Sequence, residues 1–201
     1  MFDDTNDLNC IEADCWQLLT RAVTDRECGW RLPVLATADG TGLRQRIVVL
    51  RAVDAARRTV WAHTDVRSAK VKAIQDAPHV SLLFYDTTRQ IQLQLSGMAT
   101  VETDTVDCDQ IWNTETAASL RGYLAPFAPG TIREESATNL PDEFRDRMPT
   151  REELTDGRKN FAVIKTVTQS MECVILSRHG NRRAVFQYHD KNLISADWLA
   201  P

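Results

Sequence analysis

Apolar and polar positions change rhythm several times along the chain. Over residues 8–25, Ile11, Cys15, Leu18, Leu19, Ala22 and Val23 recur at three- and four-residue steps, the signature of a helix with one buried stripe. Asn6 or Asp7 fits its N-cap. From residue 31 to 105 the pattern shortens into strands joined by short loops. The first covers 31–38 and ends in the turn sequence Asp39-Gly40-Thr41-Gly42. The next covers 46–52, with Ile47, Val48, Val49 and Leu50 at its centre, followed by a polar turn at 54–58. Three more cover 59–64, 80–85 and 91–101. A helix interrupts them at 68–77, with Val71 and Ile74 on one face and Pro78 as its stop. A second, less sharply patterned helical stretch covers 104–120. Between 125 and 160, Pro126, Pro129, Gly130, Pro141, Pro149 and Gly157 punctuate a charged sequence, which reads as a long, partly helical excursion over the surface. The capping box Thr150-Arg151-Glu152-Glu153 predicts a short helix there. Strands return at 161–167, 171–177 and 183–188. Strand after strand with short loops predicts one mainly β domain with flanking helices (α+β) over residues 1–201, an antiparallel meander closing into a barrel rather than alternating βαβ units.

Composition narrows the function classes. The net charge of −4 over 201 residues argues against nucleic acid and anionic membrane as partners, while leaving room for a local basic pocket. No apolar run approaches the roughly 20 residues of a membrane span. The acidic start Met1-Phe2-Asp3-Asp4 has neither the basic residues nor the apolar core of a secretory signal, so a cytoplasmic location is expected. Cys10, Cys15, Cys28, Cys108 and Cys173 show no Cys-x-x-Cys spacing and read as reduced thiols. His63, His79, His179 and His189 have no metal-ligand spacing, so no metal is expected.

Four stretches carry candidate chemistry. Arg46 and Arg51 flank the strand centre Ile47–Leu50, and five residues of separation send them to opposite faces if the strand is regular. In His63-Thr64-Asp65-Val66-Arg67-Ser68-Ala69-Lys70 a strand hands over to a helix. Helix N–H groups, two hydroxyls and the Lys70 ammonium then suit a phosphate, although a helix capped by Asp65 or Ser68 with solvated Arg67 and Lys70 explains the same residues. Gln90, Gln92 and Gln94 alternate with apolar residues, and a row of amides suits either the edge of a heterocycle or a subunit contact. Arg178-His179-Gly180-Asn181-Arg182-Arg183 is a basic turn that fits a solvated hairpin or a second anion contact.

Taken together, Arg46 to Arg51, His63 to Lys70, Gln92 with Gly97 five residues on, and a basic turn before the terminal Trp198-Leu199-Ala200-Pro201 resemble pyridoxamine 5′-phosphate oxidase and its relatives, the FMN-binding split-barrel flavoproteins. The resemblance is good over 46–101, looser over the last forty residues and weak over 104–160. It implies an antiparallel split β-barrel, a homodimer with FMN at the subunit interface, and a small-molecule substrate giving a hydride to flavin N5, with O₂ or another acceptor reoxidising it. By position, Arg46 and Lys70 would hold the FMN phosphate, with Thr64 and Ser68 adding hydroxyls and His63 beside them. The backbone of Val48, Val49, Leu50 and Arg51 would pass along the flavin ring, and Gln92 would meet its edge. Arg182 or Arg183, depending on register, would approach from the other subunit, and Arg51 and Arg178 would contact substrate. No side chain would need to act as catalytic acid or base. Three departures set this chain apart. Ala69 stands where relatives carry a basic residue, Cys173 or Val174 replaces a flavin-packing Trp, and Glu115 stands where vitamin-B6 oxidases place an Arg for the substrate phosphate. The cofactor half of the site then matches the family and the substrate half departs from it, so the substrate need not be vitamin B6; the alternatives are an NAD(P)H-dependent reductase on the same fold, or a non-enzymatic flavin or haem binder.

Overall fold

The computed structural model describes residues 6–136 and 138–201. Its centre is a nine-stranded, wholly antiparallel sheet. The strands are β1 (Val34–Ala38), β2 (Leu43–Ile47), β3 (Leu50–Asp54), β4 (Thr59–Asp65), β5 (His79–Asp86), β6 (Ile91–Glu102), β7 (Phe161–Ile175), β8 (Arg182–His189) and β9 (Asn192–Leu199). The helices are α1 (Leu8–Ala22), α2 (Ala69–Asp76), α3 (Val106–Thr114) and the single turn α4 (Ala117–Leu120).

The main strand order is β2-β1-β5-β6-β7-β4-β3, with β8 and β9 branching from β7. This order puts β2 and β3 at opposite ends of the path, yet only Val48 and Val49 separate them in sequence. Three Cα–Cα steps reach at most about 11 Å. Six inter-strand spacings laid flat would cover roughly 29 Å. The sheet must therefore curl until its end strands come near one another without pairing, the open form of a split β-barrel. The strand expected at 46–52 is accordingly two strands. Val48 leaves the β1 ladder, its N–H donating to Pro33 O at 3.0 Å, and Leu50 opens the pairing with β4.

Other boundaries shift for local reasons. Asp7 caps α1 by accepting from the Asn9 N–H at 2.9 Å, and the helix stops at Ala22. The first strand begins at Val34, because Gly29–Arg31 form a 3-10 turn. The strands expected at 161–167 and 171–177 are one, β7, because β4, β6 and β8 pair along it and a bulge at Gln169 absorbs the irregularity. Opposite that bulge, a Cβ on Gly97 would lie 2.0 Å from Val167 O, so only glycine fits. The capping box forms both reciprocal bonds, Thr150 N–H to Glu153 Oε2 at 2.8 Å and Glu153 N–H to Thr150 Oγ1 at 3.3 Å. It heads a turn and the 3-10 stretch Thr155–Asn160, so the short helix expected there is of the tighter kind and begins at Thr155.

Two cores result. Leu35, Leu50, Leu82, Phe84, Leu93, Leu95 and Met171 fill the barrel with Ile11, Trp16 and Leu19 of α1. A polar pin ties α1 down: Trp16 Nε1 donates to the Tyr188 hydroxyl, which donates to Glu12, which pairs with Arg58 at 2.9 Å. The second core, Cys108, Trp112, Leu120, Leu154, Phe161 and Val163, lies between α3, the 104–160 region and the start of β7. The excursion expected over the surface is thus partly a packed layer.

Candidate functional site

Where β4 hands over to α2, two hydroxyls and two cations meet. Asp65 accepts from the Arg67 N–H at 2.8 Å and from its guanidinium, which also donates to Ala125 O at 3.0 Å. Arg67 is therefore tied to the 104–160 layer rather than left free in solvent, with its side chain 26% exposed. Ser68 occupies the N-cap position of α2, but its side chain does not cap. Its hydroxyl lies 3.2 Å from that of Thr64, and both accept from the Lys70 ammonium, at 3.1 Å and 3.0 Å. Thr64 and Ser68 are buried. Arg46 reaches from β2 and donates to Leu35 O at 3.2 Å and Thr37 Oγ1 at 2.8 Å. Among the described residues, neither Arg46 nor Lys70 has a carboxylate partner. Burial lowers the pKa of both, and Arg46 lowers that of Lys70 further. Two half-buried cations with no carboxylate at ion-pair distance among the described residues, and with Asp39 and Asp65 opposing the effect of burial only from farther off, form with the two buried hydroxyls a site that suits an anion. A phosphomonoester, with close to two negative charges and three acceptor oxygens, matches that donor set.

The remaining expected residues divide between places that one chain does not unite. Register puts Tyr85, Gln92, Val174, Arg183 and Leu199 in one row across five strands. A neighbouring row on the same face holds Ile47, Val34, Leu83, Gln94, Glu172 and Val185. Arg46 shares its row with the buried Leu35 and Leu82, on the opposite face. Gln92 and Arg183 therefore do not join Arg46 and Lys70 within one chain. Arg183 donates to Glu172 at 3.0 Å, whereas Arg182 lies on the other side of β8 with its guanidinium 6.0 Å from the Trp198 ring. Arg178 sits in the exposed turn beyond Ile175, whereas the phosphate-suited corner lies beside Phe161, which pairs with Asp65. The intervening length of β7 is roughly 45 Å of extended chain. Gln90 leaves the expected amide row, because it occupies a turn with φ of 53°; Gln94 donates to Ser96 Oγ at 3.4 Å.

Arg51 and His63 belong to a second cluster. Glu115 Oε1 lies 3.7 Å from Arg51 Nη1 and 3.6 Å from His63 Nδ1. Burial, then Arg51, push the His63 imidazole down to about 4, with Glu115 partly opposing them. Trp112, Tyr123 and His63 all stand edge-on to Phe161, and burial pushes the Tyr123 hydroxyl up. Arg151 holds the Glu115 segment in place by donating to Trp112 O, Asn113 Oδ1 and Glu115 O. Sequence reasoning put Glu115 near substrate, but it gave no sign of the Arg67–Ala125 and Arg151–Trp112 ties, which depend on how the 104–160 region packs.

Among the described residues no helix is long and apolar enough to cross a membrane. Residues 30–132, just over half of the chain, match the sequence profile of the family described as pyridoxamine 5′-phosphate oxidase. Among curated proteins no significant match is found. Similar solved structures include a pyridoxamine 5′-phosphate oxidase-related, FMN-binding protein of Nostoc punctiforme, 18% identical over 99% of this chain and 100% of that one, with a TM-score of 0.69. PhzG of Burkholderia lata, solved with tetrahydrophenazine-1-carboxylic acid, is 17% identical over 99% and 95%, with a TM-score of 0.66. A Clostridium acetobutylicum protein related to general stress protein 26 is 11% identical over 92% and 99%, with a TM-score of 0.57.

Proposed function

The chain belongs to the pyridoxamine 5′-phosphate oxidase family, and from that premise we infer that it binds FMN without a covalent bond and serves as an oxidoreductase for a small-molecule substrate. The observation that carries this reading is the corner formed by Lys70, Thr64 and Ser68 with Arg46 near enough to lower the Lys70 pKa, neither cation having a carboxylate at ion-pair distance among the described residues. Bound there, FMN supplies the hydride-accepting chemistry that no side chain of the protein offers. The chain's own residues hold and orient it. Arg46 and Lys70 neutralise the phosphate, Thr64 and Ser68 fix its rotation, and the irregular backbone of Val48 and Val49 lets the ring approach closely.

The ring end takes its polar contacts from a second copy of the chain, in a homodimer. Two observations support this. Gln92 and Arg183 share the sheet face opposite Arg46. That face exposes Ile47, Leu83 and Tyr85 at 66%, 38% and 44%, a patch that favours association. Arg183 is the arginine on the Gln92 face, which favours it over Arg182 for the flavin.

The test is reconstitution. Protein incubated with FMN and freed of excess by gel filtration should keep one flavin per chain and show both flavin absorbance bands. A colourless protein contradicts the reading. Anaerobic NAD(P)H should leave the flavin oxidised; rapid bleaching would place the chain among reductases.

A further inference from the structure

Arg51, His63 and Glu115 gather around a single carboxylate oxygen, yet both contacts to it, at 3.6 and 3.7 Å, are too long for hydrogen bonds. The His63 side chain is only 7% exposed, and neither ring nitrogen has a hydrogen-bond partner among the described residues. Arg51 Nε is buried without one as well. Buried polar atoms are normally satisfied, so Arg51 Nε, buried without a partner beside two contacts too long for hydrogen bonds, needs a reason. Holding the chain together is not that reason, because Arg151 already fastens the Glu115 segment through main-chain oxygens.

We propose that this cluster reads the substrate, accepting a neutral group that both donates and accepts hydrogen bonds, such as a hydroxyl or an amide, and refusing a phosphomonoester. The proposal rests on the FMN reading, because Arg51 and His63 sit on β3 and β4 next to the residues that would line the flavin. A hydroxyl placed among the three donates to Glu115 and accepts from Arg51 or His63, completing what each lacks. Charge decides against phosphate. The Arg51–Glu115 pair sums to zero and His63 is neutral at pH 7, so a dianion would meet one cation and one carboxylate. Glu115 is the residue that sets this preference.

The experiment uses the FMN-loaded protein with 4-deoxypyridoxine and its 5′-phosphate, which differ by one phosphate ester and cannot be oxidised at the deoxygenated carbon. Dissociation constants come from calorimetry, and the His63 imidazole resonances report whether the probe reaches the cluster. The wild type should prefer the unphosphorylated probe by about tenfold or more. E115Q should cut that preference several-fold, and E115R should reverse it. The proposal is overturned if the wild type binds the phosphorylated probe as tightly or more tightly. It is also overturned if E115Q leaves the ratio unchanged, or if neither probe at millimolar concentration shifts the His63 resonances. Near-ultraviolet circular dichroism checks that each variant is folded. Flavin retention is read separately on the same samples, so loss of FMN would count against the cofactor reading alone, and His63 can still be followed without flavin.

Discussion

At His63 burial and the Arg51 guanidinium act together against the charged imidazole, and Glu115 acts for it. The ring should titrate near 4 by NMR, against about 6.5 in an unfolded chain. Arg51→Ala should raise that value and Glu115→Gln should lower it; the opposite order would contradict the cluster's geometry. Because the folded-state pKa lies below the unfolded one, the unfolded chain binds the extra proton between these limits. His63 therefore adds stability above about pH 6.5 that is lost as pH falls toward 4. The thermal midpoint should fall with pH across that window more steeply than in His63→Phe. The cations and hydroxyls at Arg46, Thr64, Ser68 and Lys70 were legible in sequence, since three of the four lie within seven residues of a strand–helix junction. The partners of Glu115 were not, because 52 residues separate it from His63 and only the packing of α3 closes that gap.

Among the secondary-structure elements, Gly97 on β6 shows how one missing side chain fixes a register. Its Cα hydrogen faces Val167 O at the bulge that lets β7 run unbroken from Phe161 to Ile175. Gly97→Ala drives a methyl into rigid backbone and should cost about 3 kcal/mol or more. At Gly122 a methyl would meet nothing within 4 Å, so Gly122→Ala should stay within about 0.5 kcal/mol. Urea midpoints compare the two, and equal shifts would mean that the β6–β7 contact tolerates a side chain. Alternation made β5 and β6 easy to recognise, for each buries every second residue along most of its length. It failed for β9, an edge strand mostly exposed on both faces, and for the 46–52 run, where an apolar stretch hides a change of sheet partner. A run of apolar residues records burial and not which neighbour is being paired.

For the whole molecule, the short link between β2 and β3 forces the sheet to curl, and the curl turns outward a face on which Ile47, Leu83 and Tyr85 stand among polar residues. The antiparallel β architecture was legible because strand followed strand with short turns, even though 46–52, 161–177 and 192–199 were divided wrongly or missed. The second core under 104–160 was not, since Trp112, Leu154 and Phe161 are scattered without a period. Leu83→Glu places a charge in the middle of the outward face and should convert the proposed dimer to monomer in sedimentation velocity. FMN affinity should fall with it, because Gln92 and Arg183 would no longer reach a neighbour's flavin. A monomeric wild type would contradict the shared site.

The central claim is the grip on a phosphate at the β4–α2 corner, and comparing FMN with riboflavin isolates that group. Two charge-assisted contacts of about 1.5–3 kcal/mol each predict that the wild type prefers FMN by roughly 10²–10⁴-fold. In Arg46→Ala/Lys70→Ala that preference should collapse toward unity while the circular dichroism spectrum stays unchanged. Equal affinity of the wild type for the two flavins, or a double variant that keeps the full preference, would contradict the account.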